Sequence, residues 1–324
     1  MIKRILISLL LLTSLLTAPL LAASGTSGGQ IVEIIPDARS AAMGGAYCAV
    51  GDDTSCLSYN PAGIGQIRHT EILLSNVQLP ADVQYQHVTC AYSLRDIRSV
   101  TLNEPGTLAI GFSFLDSGHM IARDTSGNSL GTFSERDCVL SVAYAKPLYR
   151  DQVRGSVLAG VNMQFVSEEI LEKTSKNTCT DAGILWMSPS NVYSAGLALQ
   201  NAGREFGYSE EQFGSPETFM AGVSYRPMGK LLLLSADMRR QSDDRKTLHF
   251  GTEYLTARAL VLRAGFENSR DEGNGITLGG GILLNELDIF FWYAHEVSID
   301  YAFISTGDLG TTHQLSLVLK LGAD

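Results

Sequence analysis

The chain has no paired-cysteine motif, no catalytic signature and, past residue 23, no apolar run long enough to cross a membrane as a helix. Its five cysteines, at 48, 56, 90, 138 and 179, are scattered, with no CxxC pair and no histidine at zinc-ligand spacing. No metal and no cofactor is called for. Cys48 and Cys56 are the pair closest in sequence, and a bridge between them is one of several pairings open in an oxidising compartment. GxSxG elbow, HExxH helix and P-loop are all missing, which speaks against an enzyme. The triplet Gly279-Gly280-Gly281 falls within a strand pattern and reads as a bulge or a close-packing point. Acidic residues outnumber basic ones, 34 to 24, and the net charge of −10 argues against nucleic acid as a partner.

What is present begins with a leader. Lys3 and Arg4 precede an apolar run from Ile5 to Leu16, followed by Pro19, Ala22, Ala23 and Ser24. That order reads as a cleavable secretory signal over residues 1–23. No cysteine lies near the cleavage region to accept a lipid. With 45% hydrophobic and 18% charged residues, the remaining chain is rich enough in apolar side chains to form one large all-β domain.

From about residue 70 onward the sequence alternates with period two. Val157, Ala159, Val161, Met163 and Phe165 alternate with Ser156, Gly160, Asn162 and Gln164. Leu248, Phe250 and Tyr254 alternate with Thr247, His249, Gly251 and Glu253, and the pattern recurs at Leu260, Leu262 and Phe266 and at Leu315 to Leu321. A soluble sandwich would show the same alternation, so connection lengths decide. Tight turns at Pro189 to Asn191, Pro227 to Gly229, Thr256 to Ala257 and Asn285 alternate with longer polar loops at 201–215, 241–246, 269–274 and 296–311. Short turns on one side and long loops on the other predict a transmembrane antiparallel β-barrel of about 14 strands over residues 69–324. Candidate strands begin near 84, 106, 118, 137, 155, 178, 192, 217, 230, 247, 258, 275, 286 and 312. Glu71 to Leu79 is an alternative first strand, in which case Gly118 to Asp124 becomes loop.

A barrel of that size is too wide for its own side chains to fill. The candidate plug is the segment 24–68, a small helical hatch without alternation. Asp37 is placed to cap a short helix whose small residues Ala41, Ala42, Gly44 and Gly45 would pack on the wall, and Pro61 with Asn60 would end local order in a fixed bend. The run Ala38-Arg39-Ser40-Ala41-Ala42-Met43-Gly44-Gly45-Ala46, then Asp52-Asp53, then Tyr59-Asn60-Pro61-Ala62-Gly63, resembles the N-terminal hatch of the FadL long-chain fatty-acid channels and of the related PorV and PorQ type barrels. The resemblance implies an outer-membrane location with the lipid bilayer as surroundings. It also implies passive uptake of a hydrophobic small molecule such as a fatty acid, gated by the hatch. The alternative it carries is a barrel that anchors or shuttles exported proteins.

Parity puts Asp237, His249 and Arg263 on the polar face of three consecutive strands, with Glu253 beside Arg263. This row is either an anchor for a ligand carboxylate or hatch, or a structural ion-pair ladder in a wet lumen.

Overall fold

A computed structural model of the chain describes residues 28–96, 105–170, 173–208, 211–242, 245–256, 259–268, 275–289, 292–305, 307 and 310–322. The signal reading, the first residues of the hatch reading, Ala257 and the loop 269–274 lie outside these.

Eighteen strands are present among the described residues: β1 (Thr70–Gln78), β2 (Gln84–Ser93), β3 (Thr107–Asp116), β4 (Met120–Arg123), β5 (Ser129–Phe133), β6 (Glu135–Asp151), β7 (Gly155–Ile170), β8 (Lys173–Met187), β9 (Tyr193–Gly203), β10 (Phe206–Tyr208), β11 (Glu211–Phe213), β12 (Thr218–Tyr225), β13 (Leu232–Gln241), β14 (Lys246–Leu255), β15 (Leu260–Glu267), β16 (Ile276–Ile289), β17 (Trp292–Ser305) and β18 (Thr311–Leu321). Fourteen of them close into one antiparallel barrel, with β1 paired to β18 from Thr70 opposite Leu321 to Gln78 opposite His313. The strands β4 with β5 and β10 with β11 form two separate hairpins inside the connections 117–134 and 204–217. Both hairpins lie on the same side of the barrel, the loop side. The opposite, turn side carries the short connections 152–154, 188–192 and 226–231, with 94–106 as its long exception.

Three expectations are corrected. The first wall strand is β1, the alternative reading, and Met120–Arg123 pairs only with its own hairpin partner. The chain around it, with Ser117, Gly118, Asp124 and Gly127, has turn chemistry and too few apolar residues for a wall strand. Asn285 is not a turn: β16 runs on to Ile289, with Asn285 opposite Glu296, and Glu286 alone takes a φ of 57°. The polar stretch from 296 is not a loop either. Ser298 and Asp300 point inward from β17 and are buried, while Ile299 and Tyr301 point outward, so lumen-facing polarity had imitated loop composition.

The side chains are arranged inside out. Outward positions carry Ile110, Val161, Ile184, Leu262 and Leu278, with Ile110 58% exposed, whereas inward Asp237, His249, Arg263 and Asp300 are buried, Asp300 at 1% exposure. Water-soluble sandwiches do the reverse, so the apolar face meets lipid. At the turn side the outward band ends in Tyr92, Tyr149, Trp186, Tyr193, Tyr225 and Tyr254, the aromatic belt of a membrane interface. Tyr193 and Tyr225 stack with ring centroids 4.9 Å apart.

Ahead of β1, the chain makes one five-residue α-helix, Ala38–Ala42, and 3-10 helices at Gln30–Glu33, Thr54–Ser58 and Pro61–Gln66. Asp37 caps the α-helix, accepting from the backbone N–H groups of Arg39 and Ser40 at 2.8 and 3.0 Å. Pro61 does not end local order. It opens the last 3-10 helix at its first position, where its missing N–H costs nothing, and Asn60 caps that helix by accepting from Ala62. Cys48 and Cys56 are both free, buried thiols, so the bridge considered from sequence is not formed.

Almost every residue from Pro36 to Gly65 is buried, and the packing partner is the inner wall. Contact at backbone distance requires a wall without side chains at the contact points. Glycines supply it: Gly160 of β7 stands opposite Gly183 of β8, Gly196 of β9 opposite Gly222 of β12, and Gly251 of β14 opposite Gly265 of β15. A Cβ at Gly160 would overlap the Pro61 backbone, at Gly183 the Asn60 side-chain oxygen, at Gly196 the Cys48 carbonyl and at Gly265 the Gly44 backbone nitrogen. Strand-interior glycines mark such close approaches. Gly279 fits the series, since an added methyl would meet the Ala42 methyl, whereas at its neighbour Gly280 the only close atom would be the Val261 carbonyl oxygen at 3.1 Å. Gly279→Ala is therefore expected to lose about 1–3 kcal/mol by overpacking, and Gly280→Ala about 0.5 kcal/mol or less. Urea titration of the folded barrel in lipid vesicles measures both, and equal losses would show that the wall glycines are not contact points.

Candidate functional site

The N-terminal segment is tied to the wall by Arg39. Its Nε and Nη2 donate to the two oxygens of Glu253 on β14, both at 2.8 Å, a bidentate fork. Its Nη1 donates to Asp52 at 2.7 Å and to Asp53 at 2.6 Å within the segment. One guanidinium thus holds the acidic pair and the barrel wall together. Arg263 of β15 continues the chain of charges, donating to Glu253 at 2.6 Å and to Asp300 of β17 at 2.5 Å. Arg226, just past β12, reaches Asp52 at 3.0 Å. Burial would raise the Asp52 carboxyl, but Arg39 and Arg226 beside it drag it well below the usual carboxylate range. Tyr47 donates its hydroxyl to Asp53 at 2.9 Å, and the Arg39 guanidinium lies over the Tyr47 ring.

The lumen row of the sequence reading splits between two jobs. Asp237 stands opposite His249, and Glu253 opposite Arg263. Asp237 accepts the backbone N–H groups of both Tyr47 and Cys48 at 2.7 Å, so a wall carboxylate caps a loop of the N-terminal segment. His249 sits between Thr247 and the Gly44 carbonyl, each at 2.7 Å. Glu253 and Arg263 belong to the Arg39 network. Asn60 bridges segment and wall, donating to Cys48 at 2.9 Å and to the Ile184 carbonyl at 3.1 Å. Gly44 and Gly45 both take positive φ, 64° and 71°, and the Gly45 carbonyl accepts from Arg239 at 2.5 Å. Ala62 and Gly63 are buried in the 3-10 helix against β7 and β8. The sequence reading missed Arg39, Arg226 and Asp300 as members. Arg39 was visible as the one charge in a run of small residues, and Asp300 was hidden by the misread loop.

The two sides of the segment differ in chemistry. On the turn side a cavity of about 280 Å³ is lined by Arg39, Asp52, Glu253, Arg263, Glu296 and Lys320, among others. On the loop side, Ile31, Val77, Tyr85, Leu115, Val166 and Phe206 form one buried apolar cluster. The open space left there, about 30 Å³, is one water's worth. Phe206 belongs to the β10–β11 hairpin and closes over the Gly28–Gly29 backbone.

No protein-family model matches the chain, and no curated protein sequence does. Solved structures do. The toluene transporter TbuX of Ralstonia pickettii superposes over 88% of this chain and 97% of its own with a TM-score of 0.56 at 14% identity. A FadL homologue of Pseudomonas aeruginosa gives 0.53 at 12% over the same shares. The toluene transporter TodX of P. putida gives 0.56 at 10%, over 88% of this chain and 96% of its own.

The fold is that of the FadL-type channels.

In this FadL-type barrel Arg39 is the group whose loss isolates most charge. Removing one partner of a buried ion pair costs about 3–5 kcal/mol, because the remaining carboxylates stay buried and unpaired. Arg39→Met is expected to lower unfolding stability by about that amount and to open the segment 44–58 to added protease. Arg39→Met combined with Glu253→Gln is expected to recover part of the loss. Full protease resistance in the single variant would show that Arg39 does not hold the segment.

Proposed function

We propose that the protein is an outer-membrane channel for passive uptake of small hydrophobic molecules, with the segment 28–68 as its hatch. The observation that supports this reading most is the apolar cluster on the loop side, placed where a compound entering from outside would arrive. In the described conformation the space is shut, so entry requires that Ile31 and Phe206 move. The movable part is short. Residues 28–35 lie outside the Arg39 network and are held by bonds such as Gly28 to the Gly214 carbonyl at 3.1 Å, Gln241 to Glu33, and Gln314 to the Ile35 carbonyl at 3.4 Å, whereas residues 37–66 are fixed by the Arg39 network and the glycine contacts.

Lining chemistry favours uncharged compounds over fatty acids. The loop-side residues facing the small cavity include Ser113, Ser141, Asn162, Gln164 and Asn201, with no cation among them. The nearest buried charges on that wall are acidic: Asp137, Glu168 and Asp181. A ligand carboxylate there would meet like charge. The solved relatives in fold include two toluene transporters, and a monoaromatic compound is the substrate class we assign.

A second reading keeps the closed lumen as a permanent state and makes the barrel a scaffold for exported proteins. The filled lumen and the exposed Ile121 and Leu130 of the β4–β5 hairpin favour it. Uptake of labelled toluene and labelled oleate into cells making the full chain separates the readings. Wild type is expected to take up toluene faster than cells lacking it, and Phe206→Ala several-fold faster still. Oleate uptake without toluene uptake would replace the substrate class. Neither compound entering through either protein would overturn the channel and leave the scaffold.

A further inference from the structure

A further cavity lies on the outer face of the wall. It measures about 670 Å³ and is bounded by the loop-side ends of β7, β8 and β9, beside the start of the connection that follows β9. Its floor is made of the small outward residues Ser167, Thr178, Thr180 and Ala202 and of the bare backbone at Gly203. Phe165, directly opposite Thr178 in the ladder, forms the apolar flank, and below it the wall continues as Met163, Ile184, Leu197 and Leu199. The small floor has a structural origin. The β8–β9 ladder shifts register between Thr180 and Ala182, Asn201 takes a φ of 55°, and the outer position opposite Thr180 is carried by Ala202, whose methyl leaves the space open.

At the loop-side rim stand Lys176 and Arg204, the only charged residues lining the cavity among the described residues. Neither forms an ion pair among the described residues. The Arg204 backbone is held in place by Asn177, whose side-chain N–H donates to the Arg204 carbonyl at 2.7 Å. Cations at the loop end, above an apolar notch in a lipid-facing wall, are at the level of the outer-leaflet headgroups.

We propose that this notch binds one anionic phospholipid of the surrounding leaflet, its phosphate between Lys176 and Arg204 and an acyl chain along Phe165. Two cations meet one phosphate, the hydroxyls of Thr178 and Ser167 supply neutral donors, and the small floor admits a chain where the rest of the wall is studded with large side chains. Charge complementarity carries the choice of occupant: a zwitterionic headgroup brings its own cation and gains little from the pair. The site is independent of whether the lumen conducts.

The test uses the full barrel in detergent micelles doped with equal amounts of phosphatidylglycerol and phosphatidylcholine, followed by native mass spectrometry. Wild type is expected to retain one phosphatidylglycerol with roughly tenfold preference. Lys176→Gln with Arg204→Gln is expected to abolish the preference, and Thr180→Trp, which fills the notch without changing charge, to remove the bound lipid. No preference in wild type overturns the proposal. So does a preference that survives either variant, since the headgroup then binds elsewhere. Displacement of the lipid by inorganic phosphate alone would reassign the notch to a free anion and likewise overturn it.

Discussion

Fourteen strands enclose more space than their own inward side chains fill, so this barrel is completed by a segment that touches the wall with its backbone. That contact is the constraint on which the interior depends. A sheet normally keeps a neighbouring chain at side-chain distance, about 10 Å. Along β7, β8, β9, β12, β14, β15 and β16 the wall instead offers glycine at the point of contact, and Pro61, Asn60, Cys48, Met43 and Gly44 come down onto it. Once the backbones are that close, polar groups of the wall can reach the segment directly. Asp237 takes two of its N–H groups, and His249 and Thr277 take its carbonyls at Gly44 and Ala42. Every buried N–H and carbonyl so paired avoids the cost of an orphaned polar group.

The charges follow from the same closeness. Arg39, Arg226 and Arg263 face Asp52, Asp53, Glu253 and Asp300, and each carboxylate has a guanidinium within 3.0 Å. An apolar packing of equal volume could be as stable, since the desolvation of buried ions offsets much of their attraction. What the ion network adds is geometry: a bidentate fork is satisfied at one position and one angle. The segment is therefore fixed in register with β14 and β15 and cannot slide along the wall as a greasy plug would.

Much of this was legible in the sequence, and unevenly. The period-two alternation placed most strand starts, because lipid outside and water or protein inside impose opposite polarity on successive residues, and the contrast of short turns with long loops then separated a barrel from a sandwich. The Asp237, His249, Glu253 and Arg263 row was legible by parity alone. Two things were not. Ser298 and Asp300 in β17 looked like loop because a lumen tolerates polarity that a soluble core would not. The partners of the wall glycines were hidden, because each glycine owes its identity to a residue about a hundred positions away or more, Gly160 to Pro61 at the nearer end and Gly279 to Ala42 at the farther. No local pattern records that. Arg39 shows the middle case, since its isolation among small residues marks it as special without saying that its partners lie at 52, 53 and 253.

The segment is also polarised along its length. From Asp37 to Gln66 the ties are numerous, short and charge-assisted. Before Asp37 the Arg39 network does not reach, and beside the bond from Gln241 to Glu33 the burial is largely by apolar side chains, Ile31 against Val166 and Phe206. Local opening follows the density of contacts, so the part facing the loop side opens at far lower cost than the part facing the turns. The chemistry on either side reinforces this division. An apolar molecule on the loop side exchanges one apolar contact for another when it displaces Ile31 or Phe206. The same molecule on the turn side would have to desolvate Arg39, Glu253 and Lys320 around a cavity of about 280 Å³. Adaptability and fixity are thus built into one stretch of fewer than fifty residues, separated at the helix that Asp37 caps.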